Sequence, residues 1–179
     1  MLDPRLNTLI TMIVAAAATR LLPHPPNMTS GTALALFGGA YFSNRRLAFI
    51  VPLIALLVSD FILGFYQHME VPYLSFVLIV CIGFRLQQHR TTPRIAGAAL
   101  ISALVFFTVT NFGVWAFDSL YPKTFPGLVA CYVAAIPFFR NTLLGDLMYT
   151  AILFGGFRLL ESRFAALREQ GVAISSLSR

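Results

Sequence analysis

Apolar residues along this chain come in long runs separated by short polar clusters. They do not alternate with polar residues as they would in a half-buried strand. Residues 6–22 form the first run, with Arg20 as its only charge. The Pro23-His24-Pro25-Pro26-Asn27 stretch that follows is too rich in proline to be helical. Residues 31–43 are a short run of small side chains closed by Arg45 and Arg46. Residues 47–66 make a third run that contains Pro52 and Asp60, and residues 71–84 a fourth, ended by Arg85. A basic loop, 85–94, leads to 95–117, the longest charge-free run. After an irregular stretch at 118–123, residues 125–139 are apolar but hold Pro126 and Pro137, and residues 140–157 form the last clear run. A perpendicular membrane helix needs ~20 apolar residues. The pattern therefore predicts an all-α integral membrane protein, a six-transmembrane-helix bundle with 125–139 as a short non-crossing or re-entrant helix before the last span. Irregular or short segments at membrane depth must be covered by protein or water, so 31–43 and 125–139 are the natural candidates to line a cavity.

Composition strengthens this reading. Hydrophobic residues make up 58% of the 179 and charged residues only 11%, against about 25% charged in an average soluble domain. Mean hydropathy is +0.77. Such a chain has too few polar groups to cover a folded surface in water, and its natural partner is the lipid bilayer. Residues 1–162 are read as one transmembrane helical domain and 163–179 as a cytoplasmic tail. In that tail Leu159, Leu160, Phe164 and Leu167 continue an amphipathic pattern from Arg158 to Gln170 before a frayed 175–179 end. Residues 6–18 could pass for a signal-peptide core with an Ala16-x-Ala18 cleavage site. The preceding region carries Asp3 opposite Arg5 and is not clearly basic, so the segment is read as a first helix.

The net charge of +6 changes the picture only through its placement. Basic residues punctuate the apolar runs and do not gather on one surface, which argues against nucleic acid as a partner. With six spans, Arg5, Arg45, Arg46, Arg85, Arg90, Arg94, Arg158, Arg163, Arg168 and Arg179 share one side, and Arg20, Lys123 and Arg140 the other. The positive-inside rule then puts both termini in the cytoplasm. If 31–43 did not cross and the N-terminus lay outside, the same imbalance would result. Cys81 and Cys131 fall inside apolar runs without a paired spacing and read as inert thiols.

Ionisable residues inside spans are functional candidates by default. Asp60, Gly64 and His68 share a helix face at i, i+4 and i+8. Asp146, Tyr149 and Thr150 share another with Thr142, while Arg140 points elsewhere on the same helix. Thr108, Asn111 and Trp115 make a stripe toward Asp118. In the six-span topology His24, Asn27, Asp60, His68, Asn111, Trp115, Arg140 and Asn141 fall in the outer half or outer loops. With Asp146 and Tyr149 they are the candidate ligand-binding residues of an outward-facing pocket. Each has a plainer alternative: acids that pair with Arg140 or cap broken helices, an interfacial Trp115, solvent-exposed histidines. A metal held by His24, His68 and Asp60 is chemically conceivable, but the spacing is no motif. Ala15 and Thr19, and Gly31, Ala35 and Gly39, form stripes of small residues that let helices approach closely, within the bundle or against a partner. No P-loop, HExxH, G-x-S-x-G or GxGxxG occurs. The chain is read as a non-enzyme that calls for no cofactor, its energy for any uphill transport coming from a partner or an ion gradient.

The run Arg20-Leu21-Leu22-Pro23-His24-Pro25-Pro26-Asn27-Met28-Thr29, the following Ala33-Leu34-Ala35-Leu36-Phe37-Gly38-Gly39-Ala40-Tyr41-Phe42, Ser59-Asp60 with Leu63-Gly64, and Ile136-Pro137-Phe138-Phe139-Arg140-Asn141-Thr142-Leu143-Leu144-Gly145-Asp146 together carry a resemblance. Across residues 5 to 162 the chain resembles a family of small bacterial membrane proteins of unknown function. That family is allied, by fold-level analogy, to the substrate-binding (S) components of energy-coupling factor (ECF) transporters. The resemblance implies a multi-pass protein of the bacterial inner membrane. Its outer half would bind a vitamin-like micronutrient or a metal ion under a lid formed by 23–30. It also implies docking, through small residues of the first helix, to a transmembrane coupling subunit driven by ATPases. The expected function is thus a substrate-binding membrane subunit for micronutrient uptake. A non-transporting structural or assembly membrane protein is the alternative, and a self-sufficient channel is disfavoured by the almost wholly apolar inner halves of the spans.

Overall fold

The computed structural model describes residues 3–168. It consists of α1 (Pro4–Ala18) with a 3-10 turn at Thr19–Leu21, α2 (Gly31–Tyr41), α3 (Arg45–Leu63), α4 (Glu70–Phe84), α5 (Thr92–Phe117) and α6 (Phe125–Thr150). A π turn at Ala151–Gly155 joins α6 to α7 (Gly156–Arg163), and a last 3-10 turn spans Ala165–Leu167. Among the described residues there is no strand. Helix starts follow local chemistry. Asp3 accepts from the Arg5 amide ahead of Pro4, and the Asn44 side chain accepts from the Arg46 amide at 2.9 Å. Thr124 caps α6 ahead of Pro126. Gly64, at φ +98°, ends α3 in a conformation that favours glycine.

Three helices are long and apolar enough to cross a membrane: Arg45–Leu63, Thr92–Phe117 and the continuous Phe125–Arg163. Their outward faces carry side chains such as Ile54, Phe61, Leu104, Phe125 and Val133, all exposed. Faces of this kind are what lipid solvates and water does not. Shorter α1 and α4 pack beside them. Arg5 of α1 pairs with Glu161 of α7 at 2.6 Å, so the beginning of α1 and the end of α7 meet at one end of the bundle, the termini end.

The expected break between 125–139 and a last span at 140 is not there. Residues 125–139 are the first half of α6, and the helix runs on through Arg140, the π turn and α7 for 39 residues. Pro126 sits at the helix start, where a missing amide hydrogen costs nothing. Pro137 is interior, a position that membrane helices tolerate when neighbours re-satisfy the freed carbonyl. At 1.5 Å per residue the rod is about 58 Å long, so it tilts or overhangs any ~30 Å hydrocarbon core. The amphipathic extension to Gln170 also differs from expectation. Helix α7 stops at Arg163, the chain turns at Phe164, and Leu167 is buried with its carbonyl accepting from Arg5. Gln170 and the 175–179 end lie outside the described residues.

At the centre is α2, in which all eleven residues are buried. It is only about 16 Å long and is surrounded by α1, α3, α4, α5 and α6. Its glycines set how close the neighbours come. A Cβ on Gly39 would lie 2.2 Å from the Val80 carbonyl of α4, and one on Gly83 2.5 Å from the Leu36 carbonyl. At this crossing α2 and α4 therefore touch backbone to backbone, and Gly38 leaves room for the ring of Pro52 from α3. Toward the termini end, Phe37 and Tyr41 pack edge-on or tilted against Phe154 and Phe157 at 4.7–6.0 Å. The last carbonyls of α2 are met by side chains: Gln87 donates to Gly39 O and Phe42 O at 2.9 and 3.0 Å, and Arg90 donates to Ala40 O at 3.0 Å. Arg90 also lies over the Tyr41 ring at 4.5 Å.

Gly39→Ala puts a methyl into a backbone carbonyl that has no room to move. It is expected to cost at least the ~1–3 kcal/mol of an overpacked core, seen as a clear fall in the midpoint of thermal unfolding in detergent. Gly97→Ala on α5, where a Cβ meets nothing within 4 Å, should leave the midpoint unchanged or raise it.

Candidate functional site

The polar residues singled out along the sequence form several separate groups, most of them away from the termini end. The first joins α1, α3 and α4. Arg20, in the turn after α1, pairs with Asp60 at 2.6 Å, and its other guanidinium nitrogen donates to Ser59 Oγ at 2.5 Å and Leu56 O at 3.3 Å. The Tyr73 hydroxyl donates to the second Asp60 oxygen at 2.8 Å. With 13% and 3% of their side chains exposed, this is a buried ion pair with both carboxylate oxygens satisfied. Asp60 thus has Arg20 as its partner and not Arg140, which is exposed on α6 and forms no ion pair among the described residues.

Next to it the α3–α4 turn meets the end of α5. His68, at φ +58°, approaches Glu70 at 3.2 Å and Asp118 at 3.9 Å and stacks on Phe117 at 5.2 Å. His24 lies exposed in the loop after α1, its ring 3.1 Å from the Pro25 carbonyl. His24, His68 and Asp60 are not gathered into one site, and among the described residues no three His, Cys, Asp or Glu side chains are placed to hold a metal ion. Trp115 donates from its indole to Pro122 O at 2.9 Å, and Lys123 donates to Trp115 O and Asp118 O. Both residues therefore brace the α5–α6 turn.

Asn27 and Asn111 line a partly open cavity of about 250 Å³ bordered by α4, α5, α6 and the loop after α1. Phe106, Phe107, Phe138 and Phe139 supply its rings, and Asn27, Thr110, Asn111 and Thr142 its polar groups. The loop is held over it. Asn27 adopts the left-handed conformation that asparagine tolerates (φ +63°), Met28 N donates to Pro25 O at 3.1 Å, and Asn141 on α6 donates to Pro26 O at 3.0 Å. Asn111 donates to Phe107 O at 2.7 Å within α5 and so keeps its amide oxygen in hand. Larger hollows exist, such as one of about 430 Å³ between α1 and α3, but that one is an almost wholly aliphatic groove on an outer face.

One turn along α6 from Thr142, Asp146 is 3% exposed and accepts from the Thr32 hydroxyl of α2. Tyr149 meets Thr19 hydroxyl to hydroxyl at 2.9 Å, and Thr19 donates to Ala16 O. Of the small-residue stripes, Gly31, Ala35 and Gly39 are wholly inside the bundle. On α1 Ala15 faces outward, while Ala16 and Ala17 face in.

Sequence reasoning overlooked Arg20 as the partner of Asp60, although its position as the one charge in the first apolar run was a visible signal. It also missed Thr32 and Tyr73, and the four phenylalanines of the cavity, which are indistinguishable in sequence from lipid-facing ones. If the Arg20–Asp60 pair holds α1 to α3, Asp60→Ala should destabilise the fold by about 3–5 kcal/mol by stranding a buried guanidinium. The double variant Arg20→Met/Asp60→Leu should recover most of that loss. Thermal unfolding of the three proteins in one detergent gives the comparison.

No curated protein and no solved structure matches the chain. A family model does, over residues 2–167, nearly the whole length and all six helical rods just described. The chain belongs to that family, a family of unknown function (DUF6580).

Proposed function

We propose that this protein is a membrane-embedded substrate-binding subunit for uptake of a small micronutrient, energised by a partner. The observation that carries the reading is the cavity under the loop after α1. It is smaller than the ~300–1,000 Å³ typical of sites for drug-sized ligands and suits a compact molecule. Four phenyl rings and a few amide and hydroxyl groups favour a flat, largely uncharged organic compound, vitamin-like in character, over a metal ion, since neither a carboxylate, an imidazole nor a thiol is among the lining side chains. The loop at 22–30, pinned to α6 through Asn141, is suited to the role of a lid. In this reading the six-rod bundle sits in the bacterial inner membrane, with α2 enclosed among the other five rods and both termini in the cytoplasm, in keeping with the arginines gathered at the termini end. The cavity then opens outward. The S components of ECF transporters are the functional analogue, with a transmembrane coupling subunit and its ATPases as the energising partner, and the chain itself binds without catalysing.

The alternative, a structural or assembly membrane protein, has one specific observation in its favour: Asp60, the most prominent acid of the third run, is fully engaged by Arg20 and Tyr73.

Native mass spectrometry with metal analysis, on the full chain purified gently in detergent, separates the two. The binding-subunit reading expects a stoichiometric organic adduct that is lost from Asn111→Leu while its thermal midpoint stays near that of the parent. A bare mass from cells grown in several media, or an adduct indifferent to Asn111 and Thr142, would move the assignment to the structural alternative.

A further inference from the structure

Asp146 differs from Asp60 in one respect. Its Oδ1 accepts from Thr32, but its Oδ2 is buried without a partner, and so is Oγ1 of Thr150, one turn along the same face of α6. Asp146 and Thr150 are 3% and 4% exposed. Among the described residues no cationic side chain pairs with Asp146. A carboxylate removed from water is tolerated only with a compensating charge and filled lone pairs, and a threonine on a helix ordinarily bonds back to a carbonyl of the preceding turn. The two orphan oxygens lie one helical turn apart on one face of α6, and the Thr32 hydroxyl reaches Asp146 from α2, so three oxygen-bearing side chains from two helices converge on this stretch of the interior. Directly after Thr150 the helix passes into the π turn Ala151–Gly155, a local departure from the α ladder that is frequent at functional sites.

We infer that Asp146, Thr150 and Thr32 form a binding site for a monovalent alkali cation inside the bundle. Oxygen-only ligation selects hard cations. A single carboxylate selects a single charge, because one positive ion makes the site neutral and a divalent ion would leave a net charge in an apolar interior. The site lies one turn from Thr142, which lines the cavity, yet the inference does not depend on what the cavity holds.

The test uses the full chain in detergent, with sodium, potassium or lithium chloride exchanged against choline chloride at constant ionic strength. The thermal midpoint should rise saturably with one of the alkali ions, following the linkage of stability to a bound ligand, and not with choline. Asp146→Asn, which keeps the shape and an acceptor for Thr32, should be folded and unresponsive. Thr150→Val should shift the half-saturating concentration upward by about tenfold, the equivalent of one lost oxygen ligand, and Thr150→Ser should restore it. Radioactive sodium binding to the same proteins gives an independent reading should a variant prove unstable. Midpoints that do not distinguish the alkali ions from choline, or an Asp146→Asn protein that still responds, would overturn the inference; the first result would leave the carboxyl neutralised by a proton alone.

Discussion

Burial of α2 is the constraint from which most of this structure follows. A helix leaves four amide and four carbonyl groups without internal partners at its ends, and here both ends lie inside the protein. At the termini end Gln87 and Arg90 reach in from the α4–α5 connection to take two of its last carbonyls and that of Phe42 just beyond it, and the arginine charge complements the negative pole of the helix. At the other end Ser30 donates to Ala16 O of α1 and Thr32 donates to Asp146 of α6, bringing an acidic group to the positive pole. The polar residues of distant segments are thus tied to α2, and a helix too short to span a bilayer becomes the axis around which longer ones are arranged.

Close approach explains why this axis is made of small residues. In lipid, burying a leucine gains little over leaving it among acyl chains, so van der Waals contact between backbones matters more. Gly39 against Gly83 achieves that contact, and Gly38 lets the ring of Pro52 lie against the α2 backbone. The aromatic residues then fill the wider space toward the termini end, where Phe37 and Tyr41 interleave with Phe154 and Phe157. On the opposite side of the bundle helices α4, α5 and α6 diverge enough to leave the phenylalanine-lined cavity beneath the proline-rich loop.

The two intramembrane acids show how one residue type takes opposite roles. Asp60 is tied off by a guanidinium and a phenol and works as a clamp between α1, α3 and α4. Asp146 has one hydroxyl donor and an oxygen to spare. A clamp needs every lone pair filled, whereas a site needs one left over. The same contrast separates Asn141, which spends an amide hydrogen on the loop at Pro26, from Asn111, whose amide oxygen remains beside the cavity.

Much of this was legible in the sequence because hydropathy is a local property. The apolar runs and their arginine punctuation mark out the first five helices and a bilayer environment, and the proline-rich stretch at 23–27 marks a loop. The Gly31, Ala35, Gly39 spacing marks a face built for close approach. Three things were decided only by the tertiary structure. Pro126, Pro137 and Arg140 look like a boundary, but α6 runs through all three, since a helix end is set by whether its neighbours keep supporting it. The partner of Asp60 is forty residues away, and no local rule prefers Arg20 to Arg140. Which of seventeen phenylalanines face a cavity and which face lipid depends on the rotation of each helix in the bundle, because both environments accept the same side chain.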